Sequence, residues 1–225
     1  MAGLFAAIEL LDQRSDPGNP ALNMAMDEAL LAAGGPLPIL RVYRWSVPAV
    51  SFGYFLPVAS ARAAAGERPL VRRWTGGGIV EHGRDFTWSL VVPPGSPVHR
   101  LRPHATYGAL HGALVLALGR AGIAATQVPL ETPAPAGGLC MQAPAPGDVL
   151  FRGIKIAGAG QRRTRCGLLH QGTVCGVELP EGFPALLAEA LADEVLGFPP
   201  ERMPWDRARE LEQSRYGTDA WLNLR

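Results

Sequence analysis

Lysine is almost missing from this chain of 225 residues: among 21 basic side chains only Lys155 is a lysine, and all the others are arginine. A position that keeps lysine against such a bias points to a need for what guanidinium lacks, a compact ammonium with three rotatable donors whose pKa falls on burial. Cysteine is scarce as well. Cys140, Cys166 and Cys175 are odd in number and lack metal-ligand spacing, which argues against a disulfide framework and a zinc site and leaves three free thiols. Net charge is close to zero, at +1, so no general field favours nucleic acid, an anionic membrane or an acidic partner, and recognition has to be local. No apolar run, Ala109 to Leu118 included, approaches the roughly 20 residues of a membrane span. Glu9, Asp12 and Arg14 arrive too early for a signal peptide. These absences predict a cytoplasmic protein with neither a nucleic-acid nor a membrane partner. What is present is enough apolar content, 48%, to fill a real core.

Periodicity and breakers predict the elements. Ile8 to Leu11 reads as a first strand, and Asn23 to Ala33 as a helix capped by Asn23 with Met24, Met26, Leu30 and Leu31 turned inward. Leu40 to Tyr43, Ala49 to Gly53 and Leu70 to Arg72 read as short strands, with a helix at Ala59 to Ala65. Gly76 to Gly78 make a turn into a strand at Ile79 to Glu81, and Thr87 to Val92 is the clearest strand of all. A helix follows at Thr106 to Gly119, then a long loop rich in proline, alanine and glycine from Pro129 to Pro146. Asp148 to Phe151 and Ile154 to Ala157 form a hairpin, Leu168 to Val177 a strand, and Pro184 to Leu196 and Trp205 to Tyr216 closing helices. Strands and helices are interspersed with too few helical crossovers for a regular parallel array. The expectation is an α+β or mixed α/β fold, residues 1 to 225 forming a single domain.

Three segments carry candidate chemistry. In Arg72-Arg73-Trp74-Thr75-Gly76-Gly77-Gly78, followed by His82, three glycines let the backbone approach a ligand while arginines and N–H groups offer an anion or carbonyl site. The segment lacks the Lys-Ser/Thr of a phosphate cradle and the spacing of a dinucleotide fingerprint, and taken alone it also reads as a flexible hairpin. The second segment is Gly153 to Arg163, followed by Leu169-His170-Gln171-Gly172-Thr173. Strand alternation sets Lys155 opposite Ile154 and Ile156, and the small residues Gly158, Ala159 and Gly160 leave room for an extended ligand. A solvated lysine on an edge strand is the plainer alternative. The third is Cys140, in a glycine and proline loop, whose thiol becomes a nucleophile where a cation or N–H dipoles favour its thiolate. Cys166 and Cys175 read as packing residues.

Four ordered motifs together resemble the lipoate-protein ligases and octanoyltransferases. Residues 23–30 look like that family's N-terminal helix, and residues 45–53 like its following strand. Arg72 to Gly78 with His82 resembles its acyl-binding glycine loop. Lys155 to Gln161 with His170, Gly172 and Thr173 resembles the segment of its essential lysine. The resemblance implies a biotin-ligase or class II synthetase-like catalytic domain, a mixed sheet flanked by helices. It also implies the transfer of an octanoyl or lipoyl group to a lysine of a lipoyl carrier domain, in a 2-oxoacid dehydrogenase complex or the glycine cleavage system.

Two chemistries follow from the resemblance. In one transferase branch a cysteine takes octanoate from acyl carrier protein as a thioester and needs no cofactor. The loop Cys140-Met141-Gln142-Ala143-Pro144 looks like that branch's nucleophile segment. In the ligases, ATP with Mg2+ makes an acyl-adenylate that the lysine matching Lys155 contacts. Gly78, where the cysteine transferases often carry arginine, is the more ligase-like feature, while the expected lack of a C-terminal accessory domain favours transfer. The implied catalytic pair is Cys140 and Lys155. Arg72, Arg73, Thr75, Gly76, Gly77, Gly78, His82, Gly158, Ala159, Gln161, His170, Gly172 and Thr173 are the implied substrate contacts. No metal ligand is expected. His82 and His170 either order the pocket or are structural, and a non-catalytic acyl- or carrier-binding protein is the rival reading from another class.

Overall fold

The computed structural model describes residues 3–133 and 144–224, and Cys140 lies outside them. In chain order the strands are β1 (Phe5–Gly18), β2 (Ile39–Trp45), β3 (Ala49–Phe52), β4 (Leu70–Arg72), β5 (Ile79–His82), β6 (Phe86–Val92), β7 (Thr126–Gln127), β8 (Val149–Phe151), β9 (Ile154–Thr164), β10 (Gly167–Val174) and β11 (Ala192–Gly197). The helices are α1 (Pro20–Ala33), α2 (Val58–Ala65), α3 (Pro97–Arg100), α4 (Pro103–Arg120), α5 (Phe183–Leu191), α6 (Trp205–Leu211) and α7 (Asp219–Leu222). Eight strands form one mixed sheet in the order β11-β1-β2-β6-β10-β9-β8-β7, and β4-β3-β5 form a second. The fold is α+β.

Alternation along the strands divides the core. Leu40 and Val42 of β2 and Trp88, Leu90 and Val92 of β6 face α4 and α5, where Leu110, Leu114, Phe183 and Leu187 complete one apolar layer. The opposite face meets α1 and α6 through Ile39, Val91, Leu169, Leu30 and Leu211. On that second face several sheet residues are polar, and these build the site.

Several expectations need correction. The first helix begins at Pro20, capped by Asn19, whose side chain accepts from the Leu22 N–H at 2.9 Å. Asn23 is instead buried one turn in, donating to the Gly18 and Arg44 carbonyls. The first strand runs well past Ile8 to Leu11 at both ends. The expected helix through Leu196 stops at Leu191, because residues 192–197 pair in parallel with β1 and so occupy its open edge. Gly76 to Gly78 do not close a hairpin: β4 and β5 lie on either side of β3, and the loop crosses over it. Gly77 turns at φ +95°, and a Cβ on Gly53 would stand 2.0 Å from the Gly77 carbonyl oxygen, so the crossing needs glycine on both sides. Cys166 is exposed at the β9–β10 turn rather than packed, and Cys175 is half-buried just beyond β10.

Candidate functional site

Two rows of cross-strand partners run across four strands of the large sheet. Tyr43, Thr87, Thr173 and Gly158 form one, and Arg41, Ser89, Gln171 and Gly160 the other. Direct partners share a face, so both rows look toward α1 and the small sheet. Each row ends in glycine, which leaves that end of the floor without side chains. Asp27 of α1 anchors the second row, accepting from Arg41 Nη1, Ser89 Oγ and Gln171 Nε2 at 2.7 Å each, and from the Tyr43 hydroxyl at 3.2 Å.

Above this floor the small sheet and the glycine loop supply a roof of Ser51, Arg73, Gly77, Gly78, Val80 and His82. Between floor and roof is a narrow slot of about 460 Å³, its open mouth included. Three strand spacings separate Gly158 from Tyr43, roughly 14 Å. The apolar part of the wall comes from Met24, Tyr43, Trp45 and Val80.

A string of buried hydrogen bonds holds the roof. The Asp85 carboxylate accepts from His82 Nδ1, Thr87 Oγ1 and Thr173 Oγ1 at 2.6–2.7 Å. Burial alone would raise its pKa, but the bonds from His82, Thr173 and Thr87 outweigh that and hold it at about 2. Burial depresses the His82 pKa, with Asp85 opposing in part, so the ring is neutral at pH 7 with its proton on Nδ1. His82 Nε2 then accepts from the Ser51 hydroxyl at 2.7 Å. Ser51 Oγ in turn accepts from Arg73 Nη1 at 2.7 Å, and Arg73 Nη2 donates to the Gly78 and Gly76 carbonyls at 2.8 and 3.3 Å. Asp85 thus shapes the glycine loop through His82, Ser51 and Arg73.

At the Gly158 end lies the lysine. Lys155 is buried in β9, flanked by β8 and β10, and its ammonium stands 2.7 Å from Asp148 Oδ2. The Asp148 carboxylate also accepts from the Tyr107 hydroxyl at 2.6 Å and the Ala145 N–H at 2.7 Å, and Tyr107 accepts from the Ala159 N–H at 2.9 Å. A Cβ on Gly158 would come 3.1 Å from Lys155 Nζ, so the absent side chain leaves the ammonium room beside Gly158, a residue that lines the slot, while Lys155 itself is not among the lining residues.

Of the sequence-identified residues, Arg73, Gly77, Gly78, His82, Gly158, Ala159, Gly172 and Thr173 line the slot. Thr75 stands just behind it, donating to Gln171 Oε1 at 2.7 Å, and Gly76 backs the loop through its N–H to the Gln161 carbonyl. Arg72 is not on the slot: its guanidinium donates to the carbonyls of Tyr54, Leu56, Trp221 and Leu222 and ties the C-terminal segment to β4. Gln161 and His170 pair with each other on the α4 side of the sheet. Sequence reasoning missed Asp148, Tyr107, Ser51 and Asp85. Only Asp85 carries a local signal, its position three residues beyond His82.

The family model described as the lipoyl protein ligase A/B catalytic domain matches residues 19–189. The chain belongs to that family. Octanoyltransferase LipM of Macrococcus caseolyticus is 32% identical over 170 residues, covering 69% of this chain and 62% of the relative. LipM of Kyrpidia tusciae is 34% identical over 206 residues, covering 85% and 71%. The chain therefore spans under two thirds of the Macrococcus protein. Among solved structures, Ta0514 of T. acidophilum with bound lipoic acid superposes with a TM-score of 0.73 at 22% identity, covering 98% of this chain and all of that one. The lipoyl ligase A/B fold therefore extends over nearly the whole chain. No helix among the described residues is long and apolar enough to cross a membrane.

Proposed function

We propose that this chain transfers an octanoyl group from acyl carrier protein to a lysine of a lipoyl carrier domain, by way of a thioester on Cys140. The observation that carries the reading is the buried ammonium of Lys155 packed beside Gly158, which lines one end of a narrow, largely apolar slot. An eight-carbon chain, with seven C–C bonds of about 1.5 Å, reaches at most roughly 10 Å, and so suits a slot three strand spacings long. The LipM relatives support octanoate as the group and transfer as the chemistry.

In the proposed reaction the Cys140 thiolate attacks the donor thioester carbonyl. The donor's C–S bond breaks, and its thiolate leaves. The Lys155 ammonium and backbone N–H groups of the glycine-rich segments stabilise the oxyanion in a site with little water. The carrier lysine then attacks as the free amine, its nitrogen forms the amide, and the Cys140 sulfur leaves and is reprotonated. Arg73, Gly77, Gly78, Gly158 and Ala159 line the acyl chain, and Thr75, Gly76 and His82 shape the loop that covers it. The transfer needs no cofactor. Asp148 is already engaged by Lys155, Tyr107 and the Ala145 N–H, which favours this reading over one in which that carboxylate serves an ATP-bound cation.

Intact-mass analysis of the enzyme and a lipoyl domain, each given octanoyl carrier protein or free octanoate with ATP and Mg2+, tests it. The expected result is a hydroxylamine-sensitive octanoyl gain on Cys140 and a modified lipoyl domain without ATP. Strict dependence on ATP and free acid, with full activity in Cys140→Ala, would replace it with the ligase reading. A lipoyl domain left unmodified by both donors would indicate a binding protein.

A further inference from the structure

One bond on the edge of β9 comes from outside the sheet. β8 pairs with β9 no further than Ala157, so the N–H of Ala159, two residues on, lies beyond the end of that ladder. The Tyr107 hydroxyl of α4 stands in for the missing strand and accepts from this N–H at 2.9 Å. With a lone pair so occupied, the hydroxyl gives its own proton to Asp148 Oδ1 at 2.6 Å. The other carboxylate oxygen, Oδ2, takes the Ala145 N–H and the Lys155 ammonium at 2.7 Å each. Bonds of fixed direction therefore run from the backbone of Ala159, which lines the slot, through Tyr107 to the partner of Lys155.

The ring that carries this hydroxyl is held by packing in which the oxygen has no part. A Cβ on Gly147 would stand 2.6 Å from Tyr107 Cδ1, so the ring fits only against glycine. The His111 ring, one turn further along α4, lies 4.2 Å from it between centres, and His111 Nδ1 donates to the Gly147 carbonyl at 2.7 Å. Phenylalanine would keep these ring contacts. What the oxygen adds is its bonds to Ala159 and Asp148. A carboxylate held through Oδ2 alone can turn about that oxygen and carry the ammonium with it, whereas a rigid donor on Oδ1 removes this freedom.

We propose that Tyr107 is a positioning residue: its hydroxyl fixes the Asp148 carboxylate and, through it, the direction in which the Lys155 ammonium presents its protons beside Gly158. The effect on rate rests on the acyl-transfer reading above. Under that reading the ammonium meets a charge that develops only in the transition state, so Tyr107 bears on turnover and leaves binding of donor and lipoyl domain alone. Tyr107 does not itself line the slot.

Lys155 is the chain's single lysine, so isotope-labelled lysine gives one side-chain ammonium signal by magnetic resonance. In the parent this signal should exchange slowly with water. Tyr107→Phe should stay folded, lose or broaden the signal, and lower kcat for lipoyl-domain modification by roughly tenfold or more with KM for both substrates unchanged. A merely structural role would lower the thermal midpoint and leave the signal and the kcat of folded protein as they are, which overturns the proposal. So does a changed signal with an unchanged kcat. A parent chain that leaves the lipoyl domain unmodified removes the acyl-transfer reading, and the ammonium signal then decides the role of Tyr107 alone. Should the variant not fold, the parent carries the test: its Tyr107 hydroxyl proton should exchange slowly and show a cross-peak to the Ala159 amide proton, and a rapidly exchanging hydroxyl overturns the proposal.

Discussion

The Lys155 ammonium and the Asp148 carboxylate face each other at 2.7 Å across the β8–β9 hairpin, with side chains only 2% and 1% exposed. Removing one partner of such a pair leaves an uncompensated buried charge, at a cost of about 3–5 kcal/mol. Lys155→Met and Asp148→Asn should each lower stability by that order in urea titrations. The double variant should recover much of the loss, because it buries no unpaired charge. Lys155→Arg keeps the charge but brings a larger, planar head group to a site shaped for an ammonium, and should abolish modification of the lipoyl domain. Retained turnover in Lys155→Arg would remove the basis of the proposed mechanism.

Gly158 and Gly160 lie two residues apart on one strand face, yet alanine should act differently at each. At 158 the new Cβ meets the end of a flexible side chain, Lys155 Cε at 3.0 Å and Nζ at 3.1 Å. The lysine can shift, so Gly158→Ala should fold normally and lose acyl transfer by a factor of ten or more, roughly 1.4 kcal/mol in the barrier. At 160 the Cβ would stand 2.3 Å from the Gly76 carbonyl oxygen, which is backbone. Gly160→Ala should therefore lower the thermal midpoint as well as the rate. Equal midpoints for the two variants would contradict this assignment of clashes.

What could be read from the residues was mostly local. Alternation identified β6, and the single lysine beside a Gly-Ala-Gly run pointed to a pocket, one that Gly158, Ala159 and Gly160 do line. The glycine loop was visible for the same reason, since three glycines announce a close approach of backbone wherever they end up. Asp148 was not legible as the partner of Lys155. Preceded by glycine and followed by Val149, Leu150 and Phe151, it reads as a hairpin start, and its role appears only when the hairpin folds it back. Tyr107 and His111 were hidden inside a helix identified by its apolar residues. The row from Tyr43 to Gly158 depends on register across four strands, which no local window contains. The strand at 192–197 was misread because Ala-Asp-Glu-Val-Leu follows a helix without a breaker, and only the open edge of β1 turns it into a strand.

Ser51 links the neutral His82 ring to the Arg73 guanidinium, donating to the first and accepting from the second at 2.7 Å each. Ser51→Ala leaves both without that partner, at an expected cost of about 1–3 kcal/mol. Because Arg73 also holds the Gly76 and Gly78 carbonyls, the loop over the acyl chain should loosen. The kinetic signature should be a raised KM for the octanoyl donor with kcat little changed. A variant with unaltered stability and KM would show that the string does not hold the loop.

Acid should destabilise the fold in two separate windows. His111 titrates near 4 when folded, against 6.5 for a free imidazole, because burial excludes the charged ring. Between those values the unfolded chain binds a proton that the folded chain refuses. Stability is therefore complete above pH 6.5 and falls as pH drops toward 4, by about 3 kcal/mol from this one group. His170, also depressed by burial, adds a loss of the same sign that extends lower. Asp85 acts below the His111 interval: held at about 2 against 3.8, it contributes stability that is lost as pH falls through that second interval. Urea titrations at steps between about pH 7.5 and 4.5 isolate the histidine window. His111→Phe should start from a lower stability, because the Gly147 carbonyl loses its donor, but its slope against pH should be shallower by up to about 1.4 kcal/mol per pH unit. A variant whose slope matches that of the parent would show that His111 is not the group refusing the proton.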